Sequence, residues 1–157
     1  MKIGAILLLI SLPILAAAQT TEETEKTAVI KVVQQFFEAM DHHDTATAKK
    51  IVLMDCQLYS VQQTKDSIIN RMRKFTDFLL VVGQTNRSLE EKMWNPTVMI
   101  HNQIAIVWAP YDFHLNGQLT HCGIDEFNLV KTNEGWKIAG VMYTVEPDGC
   151  TALQPKK

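Results

Sequence analysis

Apolar residues in the last third of the chain alternate with polar ones at the period of two that β-strands impose. The dipeptide Asn116-Gly117 interrupts this pattern and is favoured in two-residue hairpin turns, where both central residues need positive φ. A second turn, with Gly135 suited to a left-handed position, precedes the last strand. The pattern predicts four consecutive antiparallel strands: Met93–His101, Ile104–Leu115, Leu119–Lys131 and Trp136–Val145.

Before these strands the spacing of apolar residues changes to that of amphipathic helices. Between Val29 and Met40 they recur at intervals of three and four residues, as on one face of a helix. Asp44 is suited to cap a second helix and Gly83 to end a third. The predicted helices are Glu22–His42, Thr45–Val52 and a third from Thr64 or Asp66 to Val82, with at most a short strand at Cys56–Val61.

Three N-terminal helices packed on a mainly four-stranded antiparallel sheet make an α+β fold. We expect one domain over residues 24–150, followed by a C-terminal tail over residues 151–157, because no linker or repeat divides the chain.

The first eighteen residues have the pattern of a secretory signal peptide. Lys2 is followed by the apolar run Ile3–Leu15 and by Ala16-Ala17-Ala18, small residues that suit cleavage before Gln19. The apolar run is short for a transmembrane helix. We therefore expect an exported protein, periplasmic or extracellular, with no membrane attachment after cleavage near Ala18-Gln19.

Charge and cysteine content narrow the class further. The formal net charge is −2, or −3 without Lys2, and no segment is strongly basic, which argues against a nucleic-acid partner. An odd number of cysteines in an oxidising compartment suggests one disulfide and one buried thiol. Cys122 lies near the start of its predicted strand and Cys150 just past the end of the partner strand, so Cys122–Cys150 is the preferred pair and Cys56 the core thiol. The cysteine spacing fits neither a zinc site nor a redox motif.

Three segments of the strand region, Ala109-Pro110-Tyr111, His121–Asp125 and Gly135–Ile138, resemble the nuclear transport factor 2-like (SnoaL-like) superfamily. Within it, the chain resembles the exported bacterial lumazine-binding-like group. The resemblance implies a cone in which a strongly curved sheet wraps the long first helix, with a pocket between them and dimerisation through the sheet. It does not select an activity, because the superfamily includes isomerases, cyclases, dehydratases and transport adaptors.

The turn at Asn116-Gly117 predicts the strand register, with Asp112 opposite His121 and Trp108 opposite Asp125. A period of two then places one set of side chains on the face that we take as concave: Trp108, Asp112, His114, His121, Asp125, Phe127 and Leu129. A three-residue turn at Asn133-Glu134-Gly135 in the second hairpin would add Val141, Tyr143 and Val145 to this face. The opposite face receives Tyr111, Phe113, Ile124, Val130, Trp136, Ile138 and Met142. The predicted ligand-binding residues are Phe36, Met40, Trp108, Asp112, Asp125, Phe127 and Tyr143.

Asp125 is the main candidate for chemistry. A carboxylate in an apolar cavity has its pKa raised by desolvation, as a general base requires. Alternatively, Asp125 is hydrogen-bonded to Tyr143 or lies at a solvated end of the cone. Asp112, His114 and His121 form either an acid–base pair, a metal site lacking a third ligand, or a solvated rim near the turn.

Three hypotheses follow for function. The first is an exported module that binds a small apolar or aromatic molecule without chemistry. The second is a cofactor-free isomerase, cyclase or dehydratase, with Asp125 as base and Tyr143 or Trp108 as the orienting donor. The third is an interaction module whose sheet face is a homodimer interface. We predict no cofactor and no metal.

Overall fold

Within residues 12–155, seven strands form a single sheet, and three helices pack on its concave side. We describe the protein from a computed structural model that covers residues 12–155, with side chains from residue 22 onwards. The elements in chain order are α1 (Leu12–Asp41), α2 (Thr45–Ile51), β1 (Val52–Gln63), β2 (Ile68–Lys74), α3 (Phe75–Val82), β3 (Leu89–Met93), β4 (Thr97–His101), β5 (Ile104–Leu115), β6 (Gln118–Thr132), β7 (Gly135–Thr144) and α4 (Cys150–Leu153).

The predicted α+β class is confirmed, but the four-stranded sheet is wrong. The strand order is β2-β1-β7-β6-β5-β3, and β4 also pairs with β5. All pairs are antiparallel except β1 with β7, which is parallel. The extra strands come from segments whose local pattern is weak and whose pairing is distant in sequence, a situation in which tertiary contacts decide.

Two elements differ from the sequence-based expectation in an instructive way. The predicted third helix begins as strand β2, because Ile68–Lys74 pairs along its length with β1 at the sheet edge. Only Phe75–Val82 is helical. The predicted strand Met93–His101 is divided into β3 and β4, since Asn95 has φ of 47° and Pro96 cannot donate to a ladder.

Two irregularities control which side chains face the helices. The first lies in β6, where Phe113 pairs with His121 but His114 pairs with Leu119, so Thr120 is an extra residue. The second lies in β7, where Ala139 is extra, between the pairs Leu129–Ile138 and Asn128–Gly140. Each bulge shifts the inward and outward alternation of the rest of its strand by one residue.

The core lies between α1 and the sheet. The Phe127 ring of β6 packs edge-on against Phe36 and Phe37 of α1, with ring centroids 5.9 and 5.7 Å apart. At the other end of the helix, the Trp136 indole donates a hydrogen bond of 2.8 Å to Glu25 Oε2. These contacts fix α1 across the strands and so determine the walls of the space beneath it.

The chain terminus is attached to the sheet. Cys122 of β6 forms a disulfide with Cys150 at the start of α4, which confirms the predicted pair. The Trp94 indole donates a hydrogen bond to the Leu153 carbonyl, so part of the predicted C-terminal tail is packed helix. Cys56 is buried as predicted, and burial raises the pKa of its thiol to about 11.

Residues 1–11 of the predicted signal peptide lie outside the described residues, and residues 12–18 belong to α1. No described helix is long and apolar enough to cross a membrane. The disulfide fits an extracellular protein.

Candidate functional site

A cavity of about 320 Å³ lies between the concave face of the sheet, α1 and α3. Most of its wall is apolar: Phe36, Met40, Leu58, Phe78, Val81, Leu89, Phe113, Leu115, Phe127 and Val141. Its polar lining residues are Arg73, Arg87, Glu91, Tyr111, His121, Asp125 and Tyr143. A volume near the lower end of the range for ligand pockets, with few polar groups, suits a small and mostly apolar molecule.

Two carboxyl groups line the deep end of this cavity: the half-buried Glu91 of β3 and the fully buried Asp125 of β6. Asp125 is only 2% exposed, and no amide, hydroxyl or cationic donor of the described residues reaches its Oδ2. The neighbouring Glu91 carboxyl is close enough to interact with Asp125, and two such carboxyl groups can share one proton.

Burial and the neighbouring Glu91 carboxylate raise the pKa of Asp125 well above its ordinary value. Burial likewise raises the pKa of Glu91 to about 7. The Glu91–Asp125 pair therefore keeps a proton at neutral pH.

Tyrosines flank the carboxyl pair. Tyr143 lies directly opposite Asp125 in the β6–β7 ladder, and it pairs with Ser60 of β1 on its other side. Burial raises the pKa of Tyr143, so the phenol remains protonated at neutral pH. Tyr111 donates a hydrogen bond of 2.7 Å to the Thr144 carbonyl.

This last hydrogen bond depends on a close approach of two strands. A Cβ at Gly123 would lie 2.3 Å from the Thr144 carbonyl oxygen, so only glycine fits there. The Thr144 hydroxyl also accepts a hydrogen bond of 2.9 Å from the Ile124 amide. Gly123 therefore lets the end of β7 bend over β6, and it supports the tyrosine wall of the cavity.

His121 lies beyond the carboxyl pair. Its Nδ1 is 2.8 Å from the Thr120 hydroxyl, and its ring lies 5.2 Å from that of Phe113. Burial lowers the pKa of His121, so the ring is neutral at pH 7. It can offer or accept one hydrogen bond there, but it carries no charge.

Most of the predicted site residues lie in the cavity. Asp125, Phe127 and Tyr143 line it from the sheet, and Phe36 and Met40 line it from α1. The predicted side of Val141 is also confirmed, although the Ala139 bulge places it there rather than the predicted three-residue turn.

The predicted position of Trp108 in the cavity is wrong: its side chain is 51% exposed on the outer face. The prediction that Asp112 faces His121 is also wrong, since Asp112 pairs with Cys122. Both errors come from the Thr120 bulge, which shifts the β5 register against β6 by one residue. Leu115 and Gln118 beside the turn pair as predicted.

The predicted cluster of Asp112, His114 and His121 is divided between the two faces of the sheet. His121 lines the cavity, whereas Asp112 and His114 share the other side of β5. There, His114 Nδ1 lies 3.6 Å from Asp112 Oδ1, and Gln154 donates a hydrogen bond of 3.4 Å to Asp112 Oδ2.

Five residues that line the cavity are absent from the predicted site: Glu91, Tyr111, Phe113, Arg73 and Arg87. The two aromatic residues were assigned to the opposite face by the register error. Glu91 has a readable signal, because it follows buried Leu89 by two residues in β3, as alternation requires. Arg73 was hidden in the wrongly extended third helix.

No family model and no curated protein matches this chain. Solved structures match it in fold. A nuclear transport factor 2-like superfamily protein from Salmonella enterica is 17% identical, with a TM-score of 0.60 over 80% of this chain and 93% of that one. A candidate dehydratase of the same family from Streptomyces avermitilis is 16% identical, with a TM-score of 0.62 over 79% and 97%.

A nuclear transport factor 2-like protein from Cytophaga hutchinsonii is 8% identical, with a TM-score of 0.63 over 77% of this chain and 98% of that one. At such identities the similarity concerns the fold alone. The class is therefore α+β, with a helix packed on a large curved sheet, as in nuclear transport factor 2-like proteins. The lumazine-binding-like subgroup stays a prediction.

Proposed function

We propose that this protein binds a small, mostly apolar molecule in the cavity, and that the Glu91–Asp125 pair hydrogen-bonds a polar group of that molecule. The supporting observation is Asp125 Oδ2, a buried acceptor without a protein donor at the end of an apolar space. A buried polar atom left without a partner costs roughly 1–3 kcal/mol, and a ligand that supplies an N–H or O–H recovers this cost.

The test uses N-phenyl-1-naphthylamine, a neutral fluorescent probe with an apolar body and one N–H group. Val141→Phe fills the cavity, whereas Met142→Phe changes the next residue, which is 47% exposed on the outer face. We expect one probe per wild-type chain, unchanged binding in Met142→Phe and loss of binding in Val141→Phe. No saturable binding, or equal binding in both variants, would contradict the proposal.

The shared proton of the Glu91–Asp125 pair favours a second candidate function, that of a cofactor-free isomerase, cyclase or dehydratase. A carboxyl with a raised pKa is suited to proton transfer near neutral pH. Asp125 is the proposed base, and Tyr143 the hydrogen-bond donor that orients the substrate. The candidate dehydratase from Streptomyces avermitilis shares this fold and is consistent with this alternative.

Deuterium exchange separates binding from turnover. Native mass spectrometry of protein purified from its own host identifies the bound molecule, which is then incubated with the protein in heavy water. Deuterium entering a C–H bond in the presence of wild type, but not of Asp125→Asn, supports the enzyme. Bound molecule without exchange supports binding alone.

We also propose that the protein is exported and forms a homodimer through the outer face of the sheet. The Cys122–Cys150 disulfide is consistent with export. Residues paired across five strands give the outer face a row of side chains, of which all but the half-buried Glu126 are exposed: Trp108, Glu126, Met142, Tyr59 and Met72. Four of these are large and apolar, which is typical of an interface. Analytical ultracentrifugation should find a dimer for wild type and a monomer for Trp108→Glu; a wild-type monomer would contradict this.

A further inference from the structure

Two arginines stand at the open side of the cavity. Arg73, near the end of β2, and Arg87, in the loop after α3, both line it from positions that flank α3 in the chain. Both residues are exposed, unlike Asp125 at the deep end, so their charged groups lie at the solvent side. Within residues 22–155, whose side chains the structure describes, neither guanidinium forms an ion pair with a carboxylate.

The deep end of the cavity has the opposite character. Glu91 and Asp125 are acidic, and their surroundings are apolar side chains such as Phe127 and Val141. An anion buried beside this pair would be repelled by it and would lose its hydration without compensation. A negative group on a bound molecule is therefore excluded from the deep end and is accommodated only near the arginines.

From this polarity we infer that the ligand is a small apolar molecule with one anionic group, a carboxylate or a similar planar or tetrahedral oxyanion. Arg73 and Arg87 hold the anionic group at the mouth, and the apolar body fills the cavity towards Glu91 and Asp125. Guanidinium groups suit this role because they bind oxyanions through paired hydrogen bonds and stay charged at all physiological pH values. The inference rests on the proposed binding function and adds the chemical class and orientation of the ligand.

A matched pair of fluorescent probes tests it. N-phenyl-1-naphthylamine is neutral, and 8-anilinonaphthalene-1-sulfonate is the same ring system with one sulfonate added. The variants are Arg73→Met with Arg87→Met, and the control is Arg71→Met, which removes a charge from the same strand at a residue that does not line the cavity. Val141→Phe reports how much of each signal comes from the cavity.

We expect the double variant to weaken binding of the sulfonate probe about tenfold or more, as for the loss of two partly solvated ion pairs. Binding of the neutral probe should change less than about twofold, and Arg71→Met should resemble wild type. Raising the salt concentration should weaken only the sulfonate probe.

Equal effects of the double variant on both probes, or an equal loss in Arg71→Met, would overturn the anionic class while leaving cavity binding intact. Absence of binding by the neutral probe in wild type would instead remove the proposed function on which the inference rests.

Discussion

Two neighbouring rows of side chains cross the sheet and lie in opposite environments. The inner row contains Val107, Phe127, Val141 and Leu58, which are paired across four strands and are 0–6% exposed. One residue away on each strand, the outer row contains Trp108, Glu126, Met142 and Tyr59, whose apolar members are 39–51% exposed. Both rows are largely apolar, so the difference comes from what covers them.

The inner row is covered by α1, where Phe36 and Phe37 contact Phe127. No described element covers the outer row, and only the end near Cys122 is held beneath α4 by the disulfide. Hydrophobicity alone therefore does not separate a cavity wall from an exposed surface in this fold. The position of the helices and the strand bulges makes that distinction.

The largest expected effect concerns the inner row. Phe127→Ala should lower the free energy of unfolding by about 3–4 kcal/mol, because it removes ring contacts with α1 and leaves a void. Met142→Ala, on the outer row of the neighbouring strand, should cost less than about 1 kcal/mol. Urea unfolding of both variants measures the contrast, and equal losses would refute the assignment of the faces.

Removal of the disulfide should cause the next largest loss of stability. Replacing Cys122 and Cys150 together by Ala should cost roughly 2–4 kcal/mol, since the bond restricts the unfolded chain and holds α4 against β6. Thermal unfolding of the double variant, with Cys56→Ala as the control for thiol loss, checks this. If the double variant loses no more stability than Cys56→Ala, then the disulfide and the α4 contacts that it holds contribute little to the stability of the protein.

The third prediction concerns pH and the polar part of the inner face. The pKa values of Glu91 and Asp125 are raised in the folded protein. As the pH rises above 4, the two carboxyls therefore lose their protons in the unfolded chain at a lower pH than in the folded protein. Stability should therefore fall as the pH rises towards 7 and should level off only where both groups have lost their protons in the folded protein. We expect a loss of at least about 2 kcal/mol between pH 5 and pH 8, since Glu91 alone accounts for about that much.

Asp125→Asn should flatten that dependence to about 1 kcal/mol or less, because it gives Glu91 an amide donor and removes one buried acid. Glu126→Gln, on the outer face beside it, should retain the wild-type curve. Unfolding by urea across the pH range gives both curves, and a wild-type curve that rises from pH 5 to pH 8 would oppose a raised pKa in this pair.

Much of the fold could be predicted from the sequence because its signals are local. The Asn116-Gly117 turn, the stripe of α1 and the Asp44 cap, which accepts hydrogen bonds from the Ala46 and Thr47 amides, depend on neighbours in the chain. The pairing of β1 with β2 and of β1 with β7 depends on distant contacts, and no local period indicates it.

The candidate site shows the same division. Asp125 and Tyr143 were placed correctly, because alternation holds along most of β6 and the Ala139 bulge compensates for the wrong turn. Trp108 was misplaced by a single extra residue, Thr120, for which the sequence has no glycine or other marker. Glu91 was not predicted because its partner, Asp125, lies on β6, which is two strands away from β3 in the sheet.

The most direct test of the Glu91–Asp125 pair in its apolar hollow is a carbon-13 NMR titration of side-chain carboxyls in the intact protein. We expect Glu91 to titrate near pH 7 and the pKa of Asp125 to lie well above its ordinary value. If both carboxyls instead titrate near pH 4, these groups are solvated, and the claim of a buried carboxyl pair with raised pKa values is contradicted.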